Sequence, residues 1–141
     1  MSYEITFEES PSPEDLAVLH HGLGDYADSI FGPTVYKDIT FFLRNAEGKI
    51  AGGVHGTYGS FNWVYIGTLW VSGDVRGGGH GTQLMNLIEQ AGIDSGCTNA
   101  FLNTFSFQAP EFYKKRGYTV FAELEDFPVG HSRYFMRKRL K

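Results

Sequence analysis

Three consecutive glycines, Gly77-Gly78-Gly79, followed one residue later by Gly81, constrain this chain more than any other feature. They separate an apolar run ending at Val71 from a segment with helical spacing. In that segment Leu84, Leu87, Ile88 and Ala91 fall at i, i+3, i+4 and i+7, which predicts one buried helix face. A strand that turns through glycines into a helix presents unpaired backbone N–H groups and the positive end of the helix dipole. Phosphate binds such a turn without a lysine. Glycine lets it come close to the backbone. A turn with a purely structural role would use the same residues, so the remainder of the chain has to decide.

With 141 residues the chain predicts a single domain over 1–141, large enough for a core. A hydrophobic content of 42%, with 16% aromatic and 20% charged residues, is that of an ordinary globular protein. The net charge of −4 argues against a nucleic-acid partner. The basic tail from Arg137 to Lys141 reads as a solvated last strand. One cysteine, Cys97, excludes an intramolecular disulfide, and the lack of an apolar or acid-poor leader predicts a cytoplasmic protein. No stretch approaches the roughly 20 apolar residues of a membrane span. The histidines show no ligand spacing, so no metal is expected.

Alternation from Tyr3 to Glu8 predicts a first strand. Ser10 or Ser12, followed by Pro13, Glu14 and Asp15, predicts a helix start; Gly22 and Gly24 predict that this helix breaks. Asp38 to Arg44 and Lys49 to Tyr58 read as a hairpin around Asn45-Ala-Glu-Gly48. Gly52, Gly53 and Gly56 predict a bulge or close approach by another group in its second strand. Phe61 to Val71 reads as a central strand covered on both faces, with Gly67 as a candidate bulge. After the central helix come a strand from Thr98 to Phe105, a short helix from Ala109 to Arg116, and strands over Tyr118 to Glu123 and Ser132 to Arg139. The loop Asp126 to His131 separates the last two.

Three phosphate motifs compete for the glycine turn. The Walker loop fails because no lysine follows a glycine at the required spacing. The dinucleotide fingerprint fails at its third glycine, where Thr82 or Leu84 stands. Arg76-Gly-Gly-Gly79-His-Gly81 satisfies Arg/Gln-x-x-Gly-x-Gly/Ala, which resembles the pyrophosphate-binding motif of the GNAT superfamily of N-acetyltransferases. A second stretch resembles that family's Asn-x-x-Ala-x-x-x-Tyr motif followed by Gly-Tyr, with Ala109, Tyr113, Gly117 and Tyr118 in place. Ser106 departs from it, standing where the family usually has Asn. Phe107-Gln-Ala-Pro-Glu-Phe-Tyr113 and Pro128-Val-Gly-His131-Ser132 are similar to segments of small bacterial members.

The resemblance implies an α/β architecture: a GNAT-like acyl-CoA N-acyltransferase fold, with a central mixed, mostly antiparallel sheet flanked by helices on both faces. It implies direct acetyl transfer from acetyl-CoA to a primary amine, with a small molecule or peptide as acceptor and a homodimer as the assembly. On that reading the backbone of Leu69, Trp70 and Val71 pairs with pantetheine, and Arg76, Gly77, Gly78, Gly79, His80, Gly81 and Thr82 hold the pyrophosphate. Ser106, Gln108, Ala109 and Tyr113 contact the rest of the coenzyme. Tyr113 is the candidate general acid, since a phenol with a pKa of about 10 protonates a thiolate of similar basicity. The strand from Phe61 to Val71 carries no carboxylate, leaving His55 as candidate base because imidazole titrates near neutrality. His131, Tyr26 and Tyr36 are candidates for the acceptor site. A non-catalytic acyl-CoA-binding module and a protein-interaction domain on the same fold are the alternatives.

Overall fold

The computed structural model describes residues 2–141, and the chain divides into two units between Thr34 and Val35. The first holds one helix, α1 (Pro13–Phe31). Ser12 caps it by accepting the Asp15 amide at 3.1 Å, with Pro13 in the first turn and Glu14 and Asp15 at the positive end. The helix runs unbroken through Gly22 and Gly24, contrary to expectation. Each interior glycine costs about 1 kcal/mol relative to alanine, which weakens a helix without stopping it. The stop comes at Gly32, whose φ of +82° turns the chain and whose amide donates to the Asp28 carbonyl. Residues 3–8 form no strand, also contrary to expectation. Their alternation is real, but Ile5 and Phe7 are exposed, so no buried face holds the segment as a strand.

The second unit contains β1 (Lys37–Arg44), β2 (Ile50–Tyr58), β3 (Trp63–Val71), α2 (His80–Asp94), β4 (Asn99–Phe105), α3 (Pro110–Lys115), β5 (Thr119–Glu125) and β6 (Ser132–Arg139). They build a six-stranded sheet in the order β1-β2-β3-β4-β6-β5. Every pairing is antiparallel except β3 with β4, the pair joined by the α2 crossover. The β1–β2 turn forms as predicted: the Asn45 side chain accepts the amides of Glu47 and Lys49.

α2 lies on the sheet through Leu84, Met85, Ile88 and Gly92, against Val54, Val64, Ile66, Ala100, Leu102 and Met136. Burying side chains such as Met85 and Ile88 contributes roughly 1.5–3 kcal/mol each. Helix and sheet come close at Gly56, where an added Cβ would sit 2.9 Å from Ile88 Cδ1 and 2.5 Å from the Tyr65 carbonyl. The buried face is rotated from the predicted one. Leu87 is 48% exposed, and its place in the interior is taken by Glu89 at 8%. Glu89 is tolerated there because its Oε1 accepts from Lys138 at 2.9 Å and Arg116 at 3.1 Å, while its Oε2 accepts from the Tyr118 hydroxyl at 2.8 Å. One carboxylate thereby ties α2 to the end of α3 and to β6.

The feature that shapes the site is in β3. The β2–β3 register pairs His55 with Thr68 but Gly56 with Ile66, so Gly67 is the extra residue of a bulge. Pairing between β3 and β4 ends at Ile66 with Leu102. Beyond that point the two strands part, and the outer half of β3 has no neighbour on its β4 side. That half is correspondingly less covered than expected for a central strand, with Trp70 49% exposed.

Removing Glu89's charge leaves two buried cations without their partner, a loss of about 3–5 kcal/mol. Glu89→Gln therefore lowers denaturant-measured stability by that amount. Leu87→Gln, on the supposedly buried face, changes it by less than about 0.5 kcal/mol.

Candidate active site

A cleft of about 890 Å³ opens where β3 and β4 part. Leu69, Trp70 and Val71 form one wall, and Leu102, Asn103 and Thr104 of β4 form the other. At one end lies the glycine turn: Arg76, Gly77, Gly79, His80, Gly81 and Thr82 all line the cleft. Gly77 and Gly79 have φ of +86° and +81°, the left-handed region that a side chain disfavours. The amides of Gly77, Gly78 and Gly79 donate to no acceptor among the described residues, and no side chain caps α2. The first-turn amides of His80, Gly81 and Thr82 have no intrahelical acceptor by construction. These groups lie together at a helix N-terminus, the arrangement that favours an anion, although Gly78 itself does not line the cleft. Arg76 closes the edge of the turn, its Nε donating to the Val71 carbonyl at 3.0 Å.

Gln108, Ala109 and Tyr113 line the other flank. Gln108 accepts the Phe105 amide at 2.8 Å and the Thr104 hydroxyl at 3.2 Å, fixing the turn into α3. Ser106 lies outside the cleft lining. Its hydroxyl accepts the Ser132 amide at 3.0 Å and so holds the start of β6. Tyr113 sits edge-on to Phe112 and Tyr118, and its hydroxyl has no partner among the described residues. Burial pushes its phenol above the ordinary tyrosine range.

A second cavity of about 320 Å³ lies over β1, β2 and β3, bounded by Phe42, Ile50, Gly53, His55, Thr68 and Trp70 among others. It shares Thr68 and Trp70 with the cleft. His55 stands in its wall, directly across from Thr68 in the β2–β3 register. Its Nδ1 is 2.7 Å from the Thr40 hydroxyl, and its Nε2 is 3.9 Å from an Asp38 carboxylate oxygen.

Of the other sequence candidates, His131 and Tyr36 belong to the second unit and line neither cavity. His131 sits edge-on to Phe107 at 5.2 Å, one ring behind the cleft wall. Tyr36 packs beside Gly59, at the end of the sheet where Lys37 pairs with Tyr58, remote from Val71. Tyr26 belongs to α1 in the first unit and is 66% exposed. Conversely, sequence reading missed Thr68, Thr104 and Phe112, which line the cleft. The positions of Thr68 and Thr104 follow from strand register, which no local motif marks, whereas Phe112 lies inside the 107–113 segment.

A cleft between two parting strands, with an anion-binding turn at one end, suits an elongated ligand that ends in phosphates. Comparison with known proteins says which class this is. The acetyltransferase (GNAT) family model matches residues 4–118. Blasticidin-S acetyltransferase from Streptomyces morookaense is 35% identical over 95 residues, covering 67% of this chain and 69% of that protein. The crystal structure of an acetyltransferase from Bacillus cereus superposes with a TM-score of 0.84 at 37% identity, over 95% of this chain and 97% of that one. A fold likeness also extends to a Bacillus anthracis structure in complex with acetyl coenzyme A, with a TM-score of 0.63 at 18% identity, over 72% and 62% of the two chains. This chain belongs to the GNAT family and is one of its N-acetyltransferases.

Because burial raises the Tyr113 phenol, it holds its proton to higher pH than an exposed tyrosine does. In an alkaline absorbance titration, the phenolate signal missing from Tyr113→Phe should therefore have its midpoint above that of the exposed tyrosines.

Proposed function

We propose that the protein transfers the acetyl group of acetyl-CoA directly to a primary amine of a small molecule. The observation that carries this reading is the shared wall: the cleft and the His55 cavity meet along Thr68 and Trp70, beside the bulge at Gly67. A donor in one and an acceptor in the other would meet there. The name of the Streptomyces relative supports a small-molecule acceptor.

The residues present suit the coenzyme. The amides from Gly77 to Thr82 would hold its pyrophosphate, and the unpaired edge of β3 from Leu69 to Val71 would hydrogen-bond its pantetheine arm as an added strand. Bound acetyl-CoA supplies a thioester-activated acetyl group. The chain's own task is to hold the amine nitrogen against the acyl carbon, which replaces a bimolecular encounter by a positioned one. An amide on the unpaired edge of β3 would polarise the acetyl oxygen. Tyr113 donates the proton that the departing thiolate takes up; its raised pKa keeps that proton available over the working range. This contribution is lost as pH rises through that raised pKa, where the phenol ionises. His55 takes the proton from the amine, with the Thr40 hydroxyl fixing its ring. Cys97 is buried and free and lies outside both cavities, so no covalent acyl-cysteine route is assigned.

Calorimetric titration with CoA tests the donor site. Gly79→Glu puts a side chain at a left-handed position and a negative charge where the phosphates would sit, and should abolish binding. Undiminished binding in that variant would place the coenzyme elsewhere. The catalytic roles are separable from binding. Tyr113→Phe and His55→Gln should each lower kcat by about 10²–10⁴-fold while CoA affinity stays nearly constant. An unchanged rate removes the residue concerned from the mechanism.

A further inference from the structure

On the sheet face opposite α2, a chain of polar contacts crosses three strands at the level of the bulge. Asn103 of β4 donates from Nδ2 to the Tyr65 hydroxyl of β3 at 3.1 Å. Its Oδ1 accepts from Arg133 of β6 twice, from Nε at 3.0 Å and Nη2 at 2.7 Å. The guanidinium is surrounded by aromatic rings: its central carbon lies 5.5 Å from the centroid of Phe105, 5.4 Å from Phe127 and 5.4 Å from Phe135. Rings contribute cation–π attraction and remove water, but they accept no hydrogen bonds comparable to those of a carboxylate. No carboxylate among the described residues comes within 4.0 Å of Arg133. Two of its five N–H groups go to one neutral amide oxygen, which leaves three without a protein acceptor.

The contrast with the other half-buried arginine is informative. Arg116 and its neighbour Lys138 share the Glu89 carboxylate. Arg133 is equally well held and has no anion. It is held beside Asn103, which lines the cleft at the point where β3 and β4 separate. A guanidinium fixed in orientation, partly desolvated and short of an acceptor matches a planar oxyanion.

We propose that Arg133 recognises a carboxylate on the acceptor, so that the amine substrates of this enzyme are amino carboxylates. This rests on the acetyl-transfer reading above. With the amine at Thr68 of β3, the carboxylate would reach Arg133 of β6 across two strand spacings, about 10 Å. A chain of the length of 6-aminohexanoate, with a hydrogen bond added at each end, spans that distance, and 4-aminobutyrate is the shorter comparison. Asn103 is then a positioning residue: it aims the guanidinium and leaves its outer N–H groups free.

The test is an NMR titration of the arginine Nε–H signals, with the Arg133 resonance identified by its loss in Arg133→Gln. The probes are 4-aminobutyrate and 6-aminohexanoate, each against its carboxamide, with and without saturating CoA. The expected result is a saturable shift of the Arg133 signal with at least one carboxylate and none with its amide. Asn103→Asp, which sets a carboxylate against the guanidinium from within, should suppress that shift while leaving Arg133 in place. An equal response to carboxylate and amide, or no response to either, overturns the proposal. In turnover assays kcat/KM should favour the carboxylate of a pair by about tenfold or more, and Arg133→Gln should bring the ratio to near one. A ratio already near one in the unaltered enzyme would also overturn it. Failure of CoA to bind defeats the acetyl-transfer reading, and the titration without CoA still decides the role of Arg133.

Discussion

Two parallel strands that stop pairing leave backbone amides and carbonyls facing one another across a gap, and each such group left buried without a partner costs about 1–3 kcal/mol. Here the gap begins just past the pairing of Ile66 with Leu102 and is produced by one extra residue, Gly67. A closed sheet at this point would have no cleft. An open sheet is acceptable only if water or a ligand satisfies the exposed edge. The bulge is therefore the device that turns a structural sheet into a binding surface. The glycine turn at the end of β3 and the helix that follows it only make sense beside that opening.

Much of this was legible in the chain. The strand–glycine–helix order and the spacing of Ala109 and Tyr113 are local signals, and they locate the glycine turn and α3 along the cleft. Other features depend on contacts between residues far apart in sequence. Glu89 looks like a solvent-facing residue on a helical wheel, and only the convergence of Arg116, Lys138 and Tyr118 makes its burial tolerable. Apolar spacing alone put Leu87 on the predicted buried face. Alternation from Tyr3 to Glu8 marks residues able to form a strand, yet alternation holds a strand only where one face is buried, and Ile5 and Phe7 are exposed. Ser106, read as a ligand contact by its place in a motif, spends its hydroxyl on the backbone of Ser132. The network through Tyr65, Asn103 and Arg133 has no sequence signature, because register alone brings those three together.

Glu89 also bears on the site. α2 begins at the glycine turn and α3 carries Tyr113, and the same carboxylate reaches both the end of α3 and β6. The proposed phosphate end and the proposed acid are thus parts of one packed body on the α2 side of the sheet. His55, Trp70 and Arg133 belong to the opposite face and to different strands. Loosening the buried carboxylate would displace the turn and the tyrosine together.

The two cavities have only Thr68 and Trp70 in common. Substitutions in the walls contributed by β1 or β2 would reshape what is accepted without disturbing the cleft proposed for the coenzyme. A lineage built on this plan is free to diversify its acceptors while its donor machinery stays constant. The only positions where such divergence must answer to both partners are the two residues that face each cavity at once.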